Sequence, residues 1–191
     1  MFKLTRCRRS DEPHFRFYTQ LHEDLQTSIA RTRAAYQRGS AADDGLHLCI
    51  SHTNRRRING LRQEAFATGK AMVMVPAHDG EAAYKLCTNT PLVGCCTGRG
   101  FVNGAFFTMQ EIGEVVTVLD NLTGAVIECT TDILCKHTCL AHAVVYNRAQ
   151  GCTIRDQRVI LHDLQSPWFR RAHLYVGLSR PTNGTHIRIA T

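Results

Sequence analysis

The feature that most constrains this chain is a block of short β-prone runs punctuated by turn signals. Ala71–Val75, Leu92–Cys96, Ala105–Met109, Glu114–Leu119 and Ala125–Thr130 are separated by Asp79-Gly80, Thr97–Gly100, Asn103-Gly104, Ile112-Gly113 and Asn121–Gly124. Runs this closely spaced read as hairpins and predict a small antiparallel barrel or meander. On either side the pattern changes to strand–helix alternation. His14 to Arg38 contains no Gly or Pro and carries Phe17, Leu21, Leu25 and Ile29 at four-residue steps, which predicts one helix ended by Gly39. Leu46–Ile50 reads as a buried strand. Ser51-His52-Thr53-Asn54 then opens a second helix, capped by Thr53 or Ser51 and running to about Ala67. Gly60 weakens that helix by about 1 kcal/mol relative to alanine. Beyond the hairpins, Ala141–Tyr146 and Gln157–Leu161 predict strands, Ser166-Pro167 a helix start, and Thr185–Ala190 a last strand. Alternation interrupted by a β-rich insertion predicts an α/β fold: a mostly parallel sheet carrying a small β module.

Composition narrows the class. With 191 residues, 43% hydrophobic and 20% charged, the chain is expected to form one domain, or one domain with an insertion. No apolar run approaches membrane-spanning length and no apolar signal region follows Met1, so no membrane partner is expected and the protein is expected to be intracellular, nuclear or cytoplasmic. The net charge of +7 is uneven: residues 1–63 carry 12 basic and 6 acidic side chains, a net of +6, leaving +1 for the remainder. Positive charge gathered near one end suits a polyanion, because each neutralised phosphate releases counterions. A solvated basic helix face explains the same charge. Nine cysteines fit small core hydrophobes better than a disulfide framework in a chain of this size. Cys135-Lys136-His137-Thr138-Cys139 with His142 lacks paired C-x-x-C knuckles, so no metal site is expected.

The chemistry concentrates near the C-terminus. Tyr146-Asn147-Arg148-Ala149-Gln150-Gly151-Cys152-Thr153 links one predicted strand to the next segment, and Tyr175-Val176-Gly177-Leu178-Ser179-Arg180 follows. A Gln-Gly-x-Thr turn offers N–H groups, an amide and a hydroxyl at a strand end, where open α/β sheets bind ligands. Arg180, late in a helix, offers a guanidinium that can grip phosphate oxygens in pairs. Either fragment alone has a plain structural explanation, a common turn or a charge complementing the helix dipole.

Together the fragments resemble motifs V and VI of superfamily one DNA helicases, particularly the RecD-like group and its relatives in large DNA viruses, where they read T-x-H-K-x-Q-G-x-T and Y-V-A-L-S-R. Leu4–Asp11 resembles the arginine-bearing segment that opens the second RecA-like domain, Leu48–Asn54 the strand and T-N turn after it, and Leu92–Gly94 through Phe101–Gly104 the entry to an SH3-like insertion. The resemblance implies that residues 1–90 and 135–191 form a second RecA-like domain of P-loop NTPase type and 91–134 an SH3-like β insertion. Val145, Asn147 and Arg148 stand where motif V has Thr, His and Lys, and Gly177 replaces the alanine of motif VI. No G-x-x-x-x-G-K-[ST] occurs; Thr68-Gly69-Lys70-Ala71 lacks the glycine spacing and the magnesium-binding hydroxyl.

The resemblance implies the C-terminal half of an ATP-dependent helicase, inactive as an isolated domain, which shares ATP and Mg²⁺ with an N-terminal phosphate-loop domain in cis or trans. Arg180 and Arg9, with Arg8 as the rival of Arg9, would be arginine fingers. Gln150, Gly151 and Thr153 would lie at the nucleotide. Thr53, Asn54, Arg55 and Asn103 would contact single-stranded DNA, although Thr53 serves equally as a helix cap and Arg55–Arg57 cannot all face one way. Tyr175, Trp168 and Phe169 read as core aromatics, and His137, His142 and His173 as structural or surface residues. A non-catalytic nucleic-acid-binding module derived from a helicase, and a scaffold with an incidental basic end, are the alternatives.

Overall fold

The computed structural model describes residues 10–190. In chain order the elements are α1 (Glu12–Thr19), α2 (Leu25–Ala35), β1 (Gln37–Gly39), β2 (Leu46–Cys49), α3 (His52–Ala67), β3 (Val73–Val75), β4 (Tyr84–Leu86), β5 (Pro91–Gly94), β6 (Phe106–Ile112), β7 (Val116–Asp120), β8 (Val126–Cys129), α4 (Thr131–His137), β9 (Thr138–Leu140), β10 (Ala143–Val145), β11 (Val159–Leu161), α5 (Arg171–Ser179) and β12 (Ile187–Ala190). The chain divides into two compact units. One comprises residues up to Arg55 together with Val144 onward; the other is Arg56–Ala143.

The first unit holds a five-stranded sheet in the order β1-β12-β11-β2-β10, with β1 on β12, β12 on β11, and β11 on β2 all parallel. The expected parallel sheet is therefore present. Its central strands are buried along their whole length: every residue of β2 and of β11 is inaccessible. Strands covered on both faces need no polar alternation, which is why Leu46–Ile50 is apolar except for His47, itself buried and bonded to His162 and the Asp43 carbonyl.

The single helix expected over His14–Arg38 is two. Four-residue apolar steps drift by about 40° each around an α-helix, so one straight helix could not bury all four side chains. The chain breaks at Gln20–Asp24, where Leu21 is buried from the link itself. Asp24 then caps α2 by accepting the Thr27 N–H at 2.7 Å. α2 stops at Ala35, and Gln37–Gly39 becomes an edge strand paired with β12.

Helix α5 also starts later than Ser166-Pro167 suggests. Ser166 closes a turn in which its carbonyl accepts the Phe169 N–H at 2.9 Å. The helix begins at Arg171, where the His173 ring accepts the Arg170 N–H at 2.9 Å. That turn buries Phe169, edge-on to Tyr146 at 5.5 Å, and leaves Trp168 70% exposed. The core assignment holds for Phe169 and fails for Trp168. Tyr175, also expected in the core, is 45% exposed.

The second unit contains an antiparallel sheet in the order β8-β7-β6-β5-β9 and the small β3–β4 pair. Burial alternates along β7 and through much of β6, as expected for strands with one covered face. Phe101, Phe107, Met109, Val116, Val118 and Leu134 build its core. Beyond the hairpins, Thr130 caps α4 by accepting the Ile133 N–H, and β9 adds Thr138–Leu140 to the sheet, outside the 91–134 stretch expected for the insertion. α3 contributes a buried polar face. Asn59 donates to the carbonyls of Leu140 and Ala143 and accepts the Ala143 N–H at 2.7 Å, while Gln63 Oε1 lies 2.6 Å from His142 Nε2. His142 is accordingly structural. No described helix is long and apolar enough to cross a membrane.

Candidate functional site

In the first unit, β10 ends at Val145 and passes into a 3-10 turn, Tyr146–Ala149. Tyr146 is buried and donates its hydroxyl to the His162 carbonyl at 3.0 Å, fixing the turn beneath α5. α5 approaches closely because residue 177 is glycine: a Cβ there would stand 2.7 Å from Leu161 Cδ2 and 3.1 Å from the Tyr146 ring. At the glycine that departs from motif VI, a larger side chain would have to displace the end of Leu161.

The same packing brings Arg180 to the Gln150 turn. Arg180 Nη1 donates to the Cys152 carbonyl at 3.3 Å, and its Nε and Nη2 donate to Ser179 Oγ. The backbones are also joined, Ile154 N–H to the Arg180 carbonyl at 2.9 Å and Thr182 N–H to the Ile154 carbonyl at 3.0 Å. Gln150, Gly151 and Thr153 are exposed and Arg180 is half-buried. Gly151 has φ +89, a left-handed conformation that favours glycine. Burial raises the Cys152 thiol pKa, and the neighbouring Arg180 charge opposes that rise. Of the residues that depart from motif V, Asn147 is exposed and Val145 and Arg148 are half-buried.

The Gln150 turn follows the carboxyl end of β10 and runs on toward β11, while Arg180 precedes β12. The carboxyl ends of β2 and β11 carry Ser51–Asn54 and Asp163.

There Ser51, not Thr53, is the cap of α3: its hydroxyl accepts the Asn54 N–H at 3.1 Å and its carbonyl the Arg55 N–H at 3.0 Å. Thr53 is exposed in the first helical turn. Asn54 donates its amide to Asp163 at 2.7 Å, and the other Asp163 oxygen accepts the Ile50 N–H at 2.8 Å. Asp163, with φ +63, is the residue sequence reasoning missed. An Asp two residues past a buried strand was the available signal, but its partners lie more than a hundred positions away. Arg55, expected as a surface contact, is only 5% exposed, so it does not present a surface charge; Arg56 and Arg57 are the exposed members of the cluster. Arg9 lies outside the described residues.

In the second unit, Asn103 is exposed at the tip of the β5–β6 connection. Its N–H reaches Thr97 Oγ1 at 3.3 Å, and the Gly104 N–H donates to the Gly94 carbonyl at 2.9 Å. Arg56, within this unit, pairs with Glu81 at 3.3 Å. Among the described residues no group of three or more His, Cys, Asp or Glu is arranged to hold a metal ion.

No family model and no curated protein matches the sequence. Solved structures do match in fold. Bacteroides Pif1 bound to single-stranded DNA superposes with a TM-score of 0.62 at 18% identity, over 95% of this chain and 49% of that one. A structure of two coordinating Pif1 helicases unwinding forked double-stranded DNA gives 0.61 at 20% identity, over 95% and 48%. Pif1 helicase from Candida albicans gives 0.64 at 11% identity, over 95% and 53%. This chain spans about half the length of those helicases. At such identities the likeness is one of fold: a mixed α/β chain with a parallel sheet of the RecA-like helicase type.

Proposed function

We propose that this chain acts as the C-terminal RecA-like half of an ATP-dependent superfamily one DNA helicase, with Arg180 as an arginine finger. The observation that carries the proposal is the Arg180 guanidinium held against the Gln150–Thr153 turn, within a fold shared with Pif1 helicases. These residues fit the phosphate end of a nucleotide. The guanidinium meets the turn at the Cys152 carbonyl, Gln150 and Thr153 are exposed on the same turn, and a Cβ on Gly151 would meet nothing within 4 Å, so the space over the turn is open. Bound ATP with Mg²⁺ supplies the transferable phosphoryl group. The sequence has no phosphate-loop motif, so that cradle belongs to an N-terminal domain in cis or trans. Arg180 orients and neutralises phosphate oxygens, aided by its bonds to Ser179 and Cys152, which limit the rotamers it must give up. Gln150 and Thr153 offer hydrogen bonds at the same turn. Thr53 and Asn54 contact a DNA phosphate from the start of α3, with Asp163 fixing that turn. In the second unit, Asn103 contacts single-stranded DNA from an exposed hairpin of an SH3-like insertion.

The test has two arms. Fluorescence anisotropy with a single-stranded oligonucleotide over a salt series is expected to show binding that weakens steeply with salt; flat, negligible binding would make the chain a scaffold. ATP turnover with a separately made phosphate-loop domain is expected to fall roughly 10³–10⁵-fold in Arg180→Ala. Turnover that ignores the substitution removes the arginine-finger role. A second reading, a non-catalytic nucleic-acid-binding module, draws support from Val145 and Asn147 in place of motif V residues. It predicts salt-sensitive binding with no turnover.

A further inference from the structure

We propose that Cys96 is a modification site, a thiol that undergoes exchange with low-molecular-weight disulfides of the glutathione type, assisted by His137. The two residues are 41 positions apart and meet within the second unit, with Cys96 Sγ 3.1 Å from His137 Nδ1. The imidazole is held in place: it stacks on Phe101 with ring planes 11° apart and centroids at 5.6 Å, and Phe101 is itself 1% exposed. The turn carrying Phe101 is closed by the paired bridge between Gly98 and Phe101. A nucleophile within hydrogen-bond reach of a base that a third group orients is the arrangement that activates a thiol. Cys96 is partly accessible, and beside it Cys95 is an exposed thiol whose sulfur approaches the Lys136 carbonyl at 3.6 Å. The Cys96 sulfur also lies 3.2 Å from that carbonyl, and in the tautomer that leaves Nδ1 bare the ring nitrogen competes with it for the thiol hydrogen. In attack the proton goes to the ring.

The step balances without a further reagent. The Cys96 proton passes to His137 Nδ1, and the sulfur attacks one sulfur of the disulfide. A protein–glutathione S–S bond forms as the glutathione S–S bond breaks, and the departing thiolate takes the proton from His137. Cys96 is oxidised and the released glutathione is reduced.

Oxidised glutathione is the probe, applied to the full native chain near neutral pH, with adducts located and timed by peptide mass mapping. Cys96 is expected to react at least about tenfold faster than Cys95, and the ratio to fall to about one in urea, because the pairing exists only in the fold. His137→Gln is expected to bring the Cys96 rate down to that of Cys95. A native chain in which Cys95 reacts as fast as Cys96 overturns the proposal, as does a folded His137→Gln chain with an unchanged Cys96 rate. Should that variant fail to fold, the native-to-urea comparison of the two neighbouring thiols decides alone.

Discussion

The two units hold themselves together differently. In Arg56–Ala143 the hairpins from β5 to β8 join neighbours in sequence, and one alternating apolar face supplies the core. In the parallel unit the central strands β2 and β11 are buried throughout, and elements far apart in sequence are tied by side chains reaching backbone. Asp163 binds Ile50, His14 reaches the Leu178 carbonyl, and Arg171 the Leu21 carbonyl. Long-range polar ties occur in both units, since Asn59 and Gln63 of α3 hold Leu140, Ala143 and His142 in the antiparallel one. The difference lies in the sheets, where local hairpins share one apolar face in one unit and strands distant in sequence pair in the other.

The largest effect should come from apolar volume in the antiparallel unit. Phe107 is fully buried and packs edge-on against Phe101 at 5.2 Å. Phe107→Ala is expected to destabilise by about 3–5 kcal/mol in urea unfolding. A cost below about 1 kcal/mol would mean the hairpins do not rely on this face and would break the comparison.

Asp163→Ala probes the parallel unit. It removes the acceptor for the Ile50 N–H and for the Asn54 amide. Leaving such groups unsatisfied costs about 1–3 kcal/mol, and the loosened α3 start should also weaken oligonucleotide binding. Asp163→Asn retains one acceptor and should lose less of both. Equal, negligible effects from the two substitutions would show that this turn stands without its long-range tie.

What the sequence made legible follows the same division. The five β-prone runs and their turns are local signals, and each corresponds to a strand, because a hairpin is decided by residues a few positions apart. The parallel sheet was legible as alternating elements, yet β1, the break at Gln20–Asp24 and the late start of α5 were not. Each depends on a partner distant in sequence: β12 for β1, Arg171 for the Leu21 link, and Tyr146 for the buried Phe169. The arginine at 180 and the turn at 150 could be picked out as chemistry-bearing groups, and their juxtaposition is seen in the structure. Arg55 illustrates the opposite failure. Three consecutive arginines look alike in sequence, and only packing distinguishes the buried one from Arg56 and Arg57.

Gly177→Ala sharpens the comparison at a smaller scale. Alanine gains about 1 kcal/mol of intrinsic helix preference, but its methyl would meet Leu161 Cδ2 at 2.7 Å, and overpacking of this kind costs about 1–3 kcal/mol. A net loss of about 1 kcal/mol is expected. ATP turnover in the reconstituted pair should fall further than stability, since α5 leads directly into Arg180. A stabilised variant would mean that Leu161 yields and that the close approach of α5 is not enforced.

The smallest effect concerns pH. His14 is buried, with Nε2 2.7 Å from the Leu178 carbonyl and Nδ1 2.8 Å from the Tyr36 hydroxyl. A carbonyl only accepts, so Nε2 carries the hydrogen and Nδ1 accepts from Tyr36. Burial holds the His14 pKa below the ordinary 6.5, against weaker opposing pulls from the Leu178 carbonyl and Asp11. The unfolded chain therefore takes up a proton at pH values where the folded chain does not. Stability is whole above the unfolded value and is lost as pH falls through it toward the depressed folded value. Thermal melts at about pH 7.5 and 5.5 should show the wild type losing stability on acidification and His14→Gln losing less. His173, lowered by burial and by Arg170, acts in the same direction, so the variant should flatten the dependence without abolishing it. If the wild type melts at the same temperature at both pH values, the His14–Leu178 tie does not contribute through its charge state, and the parallel unit's polar ties matter by geometry alone.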